Sequence, residues 1–407
     1  MITLIQEWLA LARFFLFTFV MTMLTPIRAA DLPSAATKKG GVRVGAVQAR
    51  ARIIDYKLKD PADVLKQVDN SLEELEQIIE KAGKAKCDAL AFPEDTLGLL
   101  HWEGVNQEAA KEVLPKAVQR MLDRLGRAAA THRMYLVVCS DLTDAKGAKR
   151  NTSFLLGRDG KEIGRYHKVS PTWSERTVKP GDSFPVFRTP DLGTIGMLIC
   201  YDMVMPESPR CLALAGADII FWPTMGGAAI GDDDITLAAA RTRAVENFVY
   251  LVVAQRGSGA MIISPQGKII AQAKGRDGIA LANIDPSAGR EGGDAMNHQV
   301  DMRARLFRER NPAAYDILTN PMPPVLAKVP LDISVEEAAD IGARMLTIGE
   351  DEFKAAEALA RSGKKDQAIS AFQKLRTSYR GSWIDRVSAE RLKTLQQPQT
   401  PEKSEPK

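Results

Sequence analysis

The sequence has few cysteines, few histidines and no concentrated run of Lys and Arg, and each shortage argues against a class of protein. Four cysteines in 407 residues are too few for a disulfide scaffold, and although an exported chain could pair them, we expect buried free thiols. The four histidines are scattered and lack the spacing that a zinc site prefers. A net charge of +4, with both signs interspersed, gives no reason to expect a nucleic-acid partner.

Residues 1–30 differ from the rest of the chain because they contain a long apolar stretch. Arg13 precedes the largely apolar residues 14–24, which suit the apolar region of a signal peptide, whereas a membrane span needs roughly 20 residues. We therefore expect cleavage near residues 29–30 and export of the chain to the periplasm or the medium. The alternatives are an uncleaved membrane anchor at residues 8–24 and, less favoured, a misassigned start codon.

Residues 42–320, which follow a small polar linker at 31–41, combine strand and helix patterns in the order typical of an α/β domain. Apolar side chains at helical spacing predict amphipathic helices at 62–84 and 107–131. Apolar runs of strand length alternate with these helices, and turn sequences later in the chain predict hairpins. We expect sheets covered by helices in a layered arrangement.

The composition changes from residue 334, where Ala, Glu, Lys and Leu recur with helical period up to residue 395. Three helices are predicted, at 351–360, 366–379 and 383–395. Residues 355–372 resemble a tetratricopeptide helical hairpin, and a single copy cannot bury its own apolar face. We expect this segment to dock on the main domain, a partner subunit or another protein, with a peptide-binding groove as the less favoured interpretation. The polar tail at 396–407 is expected to be disordered.

Cys200 ends a continuous apolar run, residues 195–199, that is typical of a buried strand. Pro206 follows where a helix would begin, since proline is tolerated at a first helical position. A cysteine at such a strand-to-helix elbow lies near main-chain N–H groups and a helix dipole, which lower a thiol pKa and hold a developing oxyanion. For a lone cysteine, a small buried core thiol would be the simpler interpretation.

Three charged residues also follow apolar strands, and they could converge with Cys200 at one edge of a sheet. Glu94 follows the strand at 89–92, Lys168 ends another strand, and Glu175 lies shortly after it. Taken singly, each has an ordinary explanation: a carboxylate at a helix N-terminus, a solvated surface lysine, and one half of a surface ion pair.

Short sequence blocks around these residues occur in the order and with the spacing of a known protein family. The blocks are Phe92-Pro-Glu94, Lys168 with Pro171 and Glu175, Cys200-Tyr-Asp202 with Pro206-Glu207, Gly216-Ala-Asp218, Pro223, Arg241–Tyr250 and Ser264-Pro-Gln-Gly267. With them, residues 42–320 resemble the nitrilase or carbon–nitrogen hydrolase superfamily. The resemblance implies an α/β fold, a four-layer α-β-β-α sandwich, assembled as a homodimer or a larger homo-oligomer.

The same resemblance implies four catalytic residues, and the sequence retains all of them. Cys200 matches the family's nucleophile, Glu94 its general base, Lys168 its catalytic lysine and Glu175 its second glutamate. A thiolate attacks the amide carbon, Glu94 carries the proton to the leaving nitrogen, and Lys168 stabilises the oxyanion together with the Tyr201 backbone N–H. Water then hydrolyses the thioester, and no metal or other cofactor is required.

The residues after the nucleophile indicate a branch of the family. Tyr201 and Asp202 resemble the amidase and N-carbamoyl amidohydrolase branches, as does the segment 303–315, whereas true nitrilases usually have Trp and Glu after the cysteine. We expect hydrolysis of a carboxamide or N-carbamoyl group, with a nitrile as the alternative substrate. The N-acyltransferase branch shares the domain, but it is less favoured because it needs several membrane spans that the sequence does not show. A different class of hypothesis is a catalytically silent binding or scaffold protein with a hydrolase fold.

By position after the catalytic strands, the candidates for substrate binding are Trp102, Trp173, Met225 and Gly226. These residues favour a partly apolar acyl group, although aromatic side chains at such positions are equally typical of a core.

Overall fold

The structure is a computed structural model that describes part of the chain. The described residues are 41–144, 146–172, 175, 177–226, 233–257, 259–287, 291–293, 299–328, 334, 336–337, 340–341, 347–380 and 382–396. The expected signal peptide, most of the linker and the tail beyond Gln396 lie outside these residues. Within them, no helix has both the length and the apolar character needed to cross a membrane.

Most of the strands belong to one large mixed sheet. The strands are β1 (Val42–Ala49), β2 (Ala89–Ala91), β3 (Tyr135–Thr143), β4 (Lys149–Leu156), β5 (Glu162–His167), β6 (Val186–Thr189), β7 (Gly193–Met197), β8 (Ile219–Thr224), β9 (Tyr250–Arg256), β10 (Met261–Ile263), β11 (Ile269–Gln272), β12 (Gly278–Ile284), β13 (Glu291–Gly293) and β14 (Gln299–Asp301). The main path through the sheet is β5-β4-β3-β2-β1-β9-β8-β7-β6, with β12 beside β1 and the β10–β11 pair beside β9. β13 and β14 form a separate pair.

The large sheet folds over on itself. β3, β2 and β1 run parallel, and so do β1, β9, β8 and β7. β2 and β3 contact β8 across an apolar interior to which Val137, Ile220 and Val252 contribute. The predicted α/β class is therefore confirmed, and the two β layers are two halves of one sheet. They are joined where β1 pairs with β9, Gln48 opposite Gln255.

Helices cover the sheet, and their bounds follow the apolar periodicity of the sequence. They are α1 (Pro61–Lys84), α2 (Leu100–Val105), α3 (Gln107–Thr131), α4 (Glu207–Leu214), α5 (Asp233–Asn247), α6 (Met302–Glu309), α7 (Glu350–Arg361), α8 (Lys365–Ser378) and α9 (Trp383–Gln396). Asp60 caps α1, its side chain accepting a hydrogen bond from the Ala62 N–H at 2.8 Å, and Pro61 is tolerated in the first turn. The apolar faces of α1 and α3 pack on the outer face of β1, β2 and β3.

The helices α7, α8 and α9 pack together and on the main domain. Phe353, Phe372 and Ile384 form a core of their own, against which Ala51 and Ile53 of the main domain pack. Polar contacts add to this interface, including one of 3.2 Å between His101 Nδ1 and Glu350 Oε2, both buried. Of the three expected docking surfaces, the main domain is the one observed; the tetratricopeptide resemblance itself stays a prediction.

Candidate active site

Cys200 lies at a strained turn between β7 and α4. Its φ angle is +44°, a left-handed conformation that a residue with a Cβ rarely adopts. It opens a short 3₁₀ helix, Cys200–Val204, and Pro206 precedes the first residue of α4, as the sequence predicts. The Trp222 indole N–H donates a hydrogen bond of 3.0 Å to the Cys200 carbonyl, which holds the turn against β8.

Asp202 holds the turn at Cys200 in place through buried hydrogen bonds. Its side chain is fully buried and accepts hydrogen bonds from the Ile199 N–H at 2.9 Å, the Ser170 N–H at 2.7 Å and the Tyr166 hydroxyl at 2.8 Å. These bonds tie the end of β7 to the segment that follows Lys168. Asp202 thus positions the nucleophile's turn, a role that the sequence blocks did not reveal.

Asp202→Ala should lower the free energy of unfolding by about 3 kcal/mol or more, because three donors lose their buried acceptor together. Urea unfolding measures this change. Asp123→Ala is the matched control, since Asp123 is exposed on α3 and accepts a hydrogen bond from Gln119. A loss below about 1 kcal/mol in Asp202→Ala would show that these bonds do not hold the elbow.

Lys168 lies between two carboxylates. Its Nζ atom is 2.9 Å from Glu94 Oε1 and 2.8 Å from both Glu175 carboxylate oxygens. Lys168 is 1% exposed and Glu94 is 4% exposed, so these charges interact with little screening by water. The structure therefore brings together three of the four predicted catalytic side chains in direct contact.

The charges in this group stabilise one another. Burial opposes a positive charge on Lys168, but the carboxylates of Glu94 and Glu175 outweigh it and raise the pKa of Lys168 well above its ordinary value. Burial also opposes a negative charge on Glu175, yet Lys168 lowers the pKa of that carboxyl below its ordinary value. Lys168 and Glu175 are consequently both ionised at neutral pH.

The Cys200 thiol behaves differently from the sequence expectation. Burial, reinforced by the charge of Glu94, raises its pKa to about 12, and Lys168 and the Thr224 hydroxyl only partly offset this rise. The expectation that the elbow lowers the thiol pKa is therefore wrong for this protein. Because the thiol stays protonated at neutral pH, it needs a base within reach to become a nucleophile.

Two further groups hold Glu94, and the sequence analysis missed both. The Asn151 side-chain amide donates to Glu94 Oε1 at 2.9 Å and to Glu175 Oε1 at 3.2 Å, and the Met225 N–H donates to Glu94 Oε2 at 3.2 Å. The available signal was the polar run Asn151-Thr-Ser153, which directly precedes the apolar residues 154–156 of β4, because buried polar side chains need hydrogen-bond partners.

A cavity of about 420 Å³ opens at this edge of the sheet. Its wall includes Glu94, Lys168, Glu175, Cys200 and Met225, so all four predicted catalytic side chains face one space. Among the described residues, no group of His, Cys, Asp and Glu side chains is arranged to hold a metal ion.

A family model for carbon-nitrogen hydrolases matches residues 43–292, more than half of the chain. The chain belongs to the carbon-nitrogen hydrolase family. A deaminated glutathione amidase of Synechocystis is 30% identical over 240 residues, which cover 53% of this chain and 86% of that protein. A human omega-amidase is 28% identical over 182 residues, 40% of this chain and 65% of that protein.

Solved structures of this fold include an amidase from Nesterenkonia. It superimposes with a TM-score of 0.54 at 20% identity, over 69% of this carbon-nitrogen hydrolase and 97% of the amidase. A variant of an amidase from Nesterenkonia sp. AN1 carries the acetamide moiety of fluoroacetamide on its active-site cysteine, with a TM-score of 0.53 at 20% identity over 70% and 99% of the two chains. At this identity the likeness establishes the fold of the hydrolase.

The structure places the candidate substrate-binding residues of the hydrolase in different environments. Met225 lies on the cavity wall, as predicted. Trp102 does not: it belongs to α2, its side chain is fully buried in the core, and its indole N–H donates to the Leu58 carbonyl at 2.9 Å, so its predicted place in the pocket is corrected to the core. Gly226 has a φ angle of +81°, which gives it a backbone role in the turn after β8. Trp173 lies outside the described residues.

Proposed function

We propose that this carbon-nitrogen hydrolase is an amidase that acts on a carboxamide or N-carbamoyl group through a thioester on Cys200. The observation that carries the proposal is Lys168, held at 2.8–2.9 Å from Glu94 and Glu175 on the wall of the cavity that also contains Cys200. The amidase names of the relatives support this choice over a nitrile substrate.

In the proposed first half-reaction, Glu94 takes the proton from the Cys200 thiol as the sulfur attacks the amide carbon. The C=O double bond becomes a C–O single bond, and its oxyanion is stabilised by Lys168 and the Tyr201 N–H. Glu94 then passes the proton to the amide nitrogen. The C–N bond breaks, ammonia or an amine leaves, and a thioester remains on Cys200.

In the proposed second half-reaction, Glu94 takes a proton from water, whose oxygen attacks the thioester carbon. The same two donors stabilise the second oxyanion, and the C–S bond breaks as Glu94 returns the proton to sulfur. The acid product leaves and the free thiol is restored. In this scheme Glu175 and Asn151 are positioning residues, since they hold Lys168 and Glu94.

Ammonia release from a panel of carboxamides, N-carbamoyl amino acids and nitriles tests the proposal, with Cys200→Ala as the blank. We expect release from at least one amide or carbamoyl compound and none above background from Cys200→Ala. Exclusive release from nitriles would replace the amidase by a nitrilase. Equal release by the parent and Cys200→Ala would remove Cys200 from the chemistry.

For localisation we propose export, supported by the apolar residues 14–24 behind Arg13. Intact mass of the protein recovered outside the cytoplasm should show a new N-terminus near residues 29–30. A full-length chain held in the membrane fraction would favour the anchor.

For assembly we propose a homodimer or larger homo-oligomer, as the family resemblance implies, with the face of α7, α8 and α9 away from the main domain available to a protein partner. Light scattering of the purified chain gives its mass directly. A monomeric mass at micromolar concentration would contradict the proposed assembly.

A further inference from the structure

The cavity that contains Cys200 carries more negative than positive groups. Among its described lining residues are six carboxylates and two lysines, Lys149 and Lys168. Lys168 is already paired with Glu94 and Glu175. The remaining four carboxylates, which we call the acidic wall, are Glu103 on α2, Asp141 on β3, and Glu336 and Asp340 from the segment ahead of α7. Lys149 is the one described lysine that faces them in the cavity.

Lys149 alone does not supply all the hydrogen-bond donors that the carboxylates of the acidic wall can accept from. Its Nζ atom is 3.4 Å from Glu103 Oε1 and 3.4 Å from Asp141 Oδ2, which are long separations shared between two carboxyl groups. The other oxygen of Glu103, Oε2, has no hydrogen-bond partner within the described part of the chain, although Glu103 is only 1% exposed. A buried carboxyl oxygen without a donor is rare, because it has lost water without compensation.

We infer that the acidic wall binds an ammonium group of the substrate, so that the preferred substrates are amides with an amino group at the end remote from the scissile bond. This inference rests on the proposed amidase function. An ammonium group brings both the N–H donors that Glu103 Oε2 lacks and the positive charge that the wall lacks. A hydroxyl or amide group would supply only the donor. A carboxylate would add a further negative charge and is selected against.

The protonation state of Glu103 provides a second way to detect the binding of an ammonium group. Burial, followed by the charge of Asp141, raises the pKa of Glu103 well above its ordinary value; Lys149 lowers it, and a side-chain hydrogen bond with Asp141 and the charge of Asp95 raise it further. A bound ammonium group would favour the ionised carboxylate, so binding should release a proton to the buffer. An uncharged ligand of the same shape should release none.

Three sets of matched amides test the inference by the kcat/KM for ammonia or acid release. They are 4-aminobutanamide and 6-aminohexanamide, their isosteres pentanamide and heptanamide, and the anionic amides 4-carbamoylbutanoate and 6-carbamoylhexanoate. At one or both lengths, we expect the amino amide to exceed its isostere at least about tenfold and the anionic amide about a hundredfold. Glu103→Gln should reduce the first ratio to about two. Glu108→Gln, on the exposed start of α3, is the control and should preserve both ratios.

A second variant keeps the test valid if Glu103→Gln does not fold. Glu336 and Asp340 are exposed, so Glu336→Gln combined with Asp340→Asn should fold normally and lower the preference for the amino amide about threefold. Calorimetry on Cys200→Ala should show binding of the better amino amide, with proton release in two buffers, and weaker binding of its isostere.

The outcomes separate this inference from the amidase function. Cys200-dependent hydrolysis in which the isostere or the anionic amide matches the amino amide at both lengths would overturn the inference and leave the amidase function standing. Binding of amino amides by Cys200→Ala without hydrolysis of any amide by the parent would support the ammonium site and contradict the amidase. Equal binding of amino amide and isostere by Cys200→Ala would overturn the inference even without a measurable rate.

Discussion

Lys168→Met should reduce amide hydrolysis at least about a thousandfold and lower the free energy of unfolding by about 3–5 kcal/mol. The first effect follows because Lys168 is the one ammonium group in contact with Glu94 and Glu175 among the described residues, and methionine cannot stabilise an oxyanion. The second follows because the buried Glu94 and the partly buried Glu175 lose their shared cation. Ammonia release and urea unfolding measure the two effects, with Lys161→Met on the exposed β4–β5 turn as the control.

The pH dependence of Lys168→Met distinguishes this explanation from a loss of packing. In the parent, Lys168 lowers the pKa of Glu175, so the stability from this pair is present above the ordinary carboxyl pKa of about 4.3 and is lost as pH falls through the lowered value. Without Lys168, burial should raise the pKa of Glu175 instead. The variant should then lose stability as pH rises from about 5 to 7. A parallel pH profile in the two proteins would mean that Lys168 is not the cation that holds these carboxylates ionised.

Glu94→Gln should lower kcat by about a hundredfold to ten-thousandfold while the fold is retained. Glutamine keeps an oxygen for the Asn151 and Lys168 donors but places an N–H₂ group against the Met225 N–H, so we expect to lose only about 1–2 kcal/mol of stability. Glu162→Gln, on an exposed edge of β5, is the matched control. Ammonia release and urea unfolding again give the two quantities.

The residual activity of Glu94→Gln carries its own signature. Burial is the largest cause of the raised pKa of the Cys200 thiol and persists without the Glu94 charge, so the variant depends on the small fraction of thiol that ionises without a base. Its residual kcat should therefore rise about tenfold per pH unit between roughly pH 7 and 9. A flat profile, or a kcat within about tenfold of the parent, would show that Glu94 is not the base.

Much of the fold could be predicted because periodicity reports which face of an element is buried. The helix predicted at 107–131 has these bounds in the structure, and the antiparallel pairs β4–β5 and β10–β11 agree with the hairpins that the turn sequences predict. The joining of the two sheet layers could not be predicted, because only the pairing at the end of β1 decides it. Short α2 was also missed, since six residues carry too little periodicity to identify a helix.

The catalytic residues could be predicted because their residue types and positions after strands are typical of a catalytic site. Features that depend on burial in the folded protein could not be predicted. Glu94, Lys168, Glu175 and Cys200 follow strands that end at one edge, and the structure places them around one cavity. Asn151 lies on the antiparallel strand β4, so nothing in the spacing links it to Glu94. The raised thiol pKa depends on burial and on the charge of Glu94, which outweigh the elbow. Trp102 could line a pocket or fill a core, and only its hydrogen bond to the Leu58 carbonyl identifies the core.

The most direct test of the Cys200–Glu94 pair is the rate at which 2-chloroacetamide, an amide-shaped alkylating agent, labels each thiol at about pH 7.5. Peptide mass spectrometry separates Cys200 from Cys211, which is exposed and free. We predict that Cys200 is labelled at least about tenfold faster than Cys211 despite its high pKa, and that Glu94→Gln removes this advantage. Labelling of Cys200 no faster than Cys211, or a rate unchanged in Glu94→Gln, would contradict a cysteine nucleophile activated by Glu94.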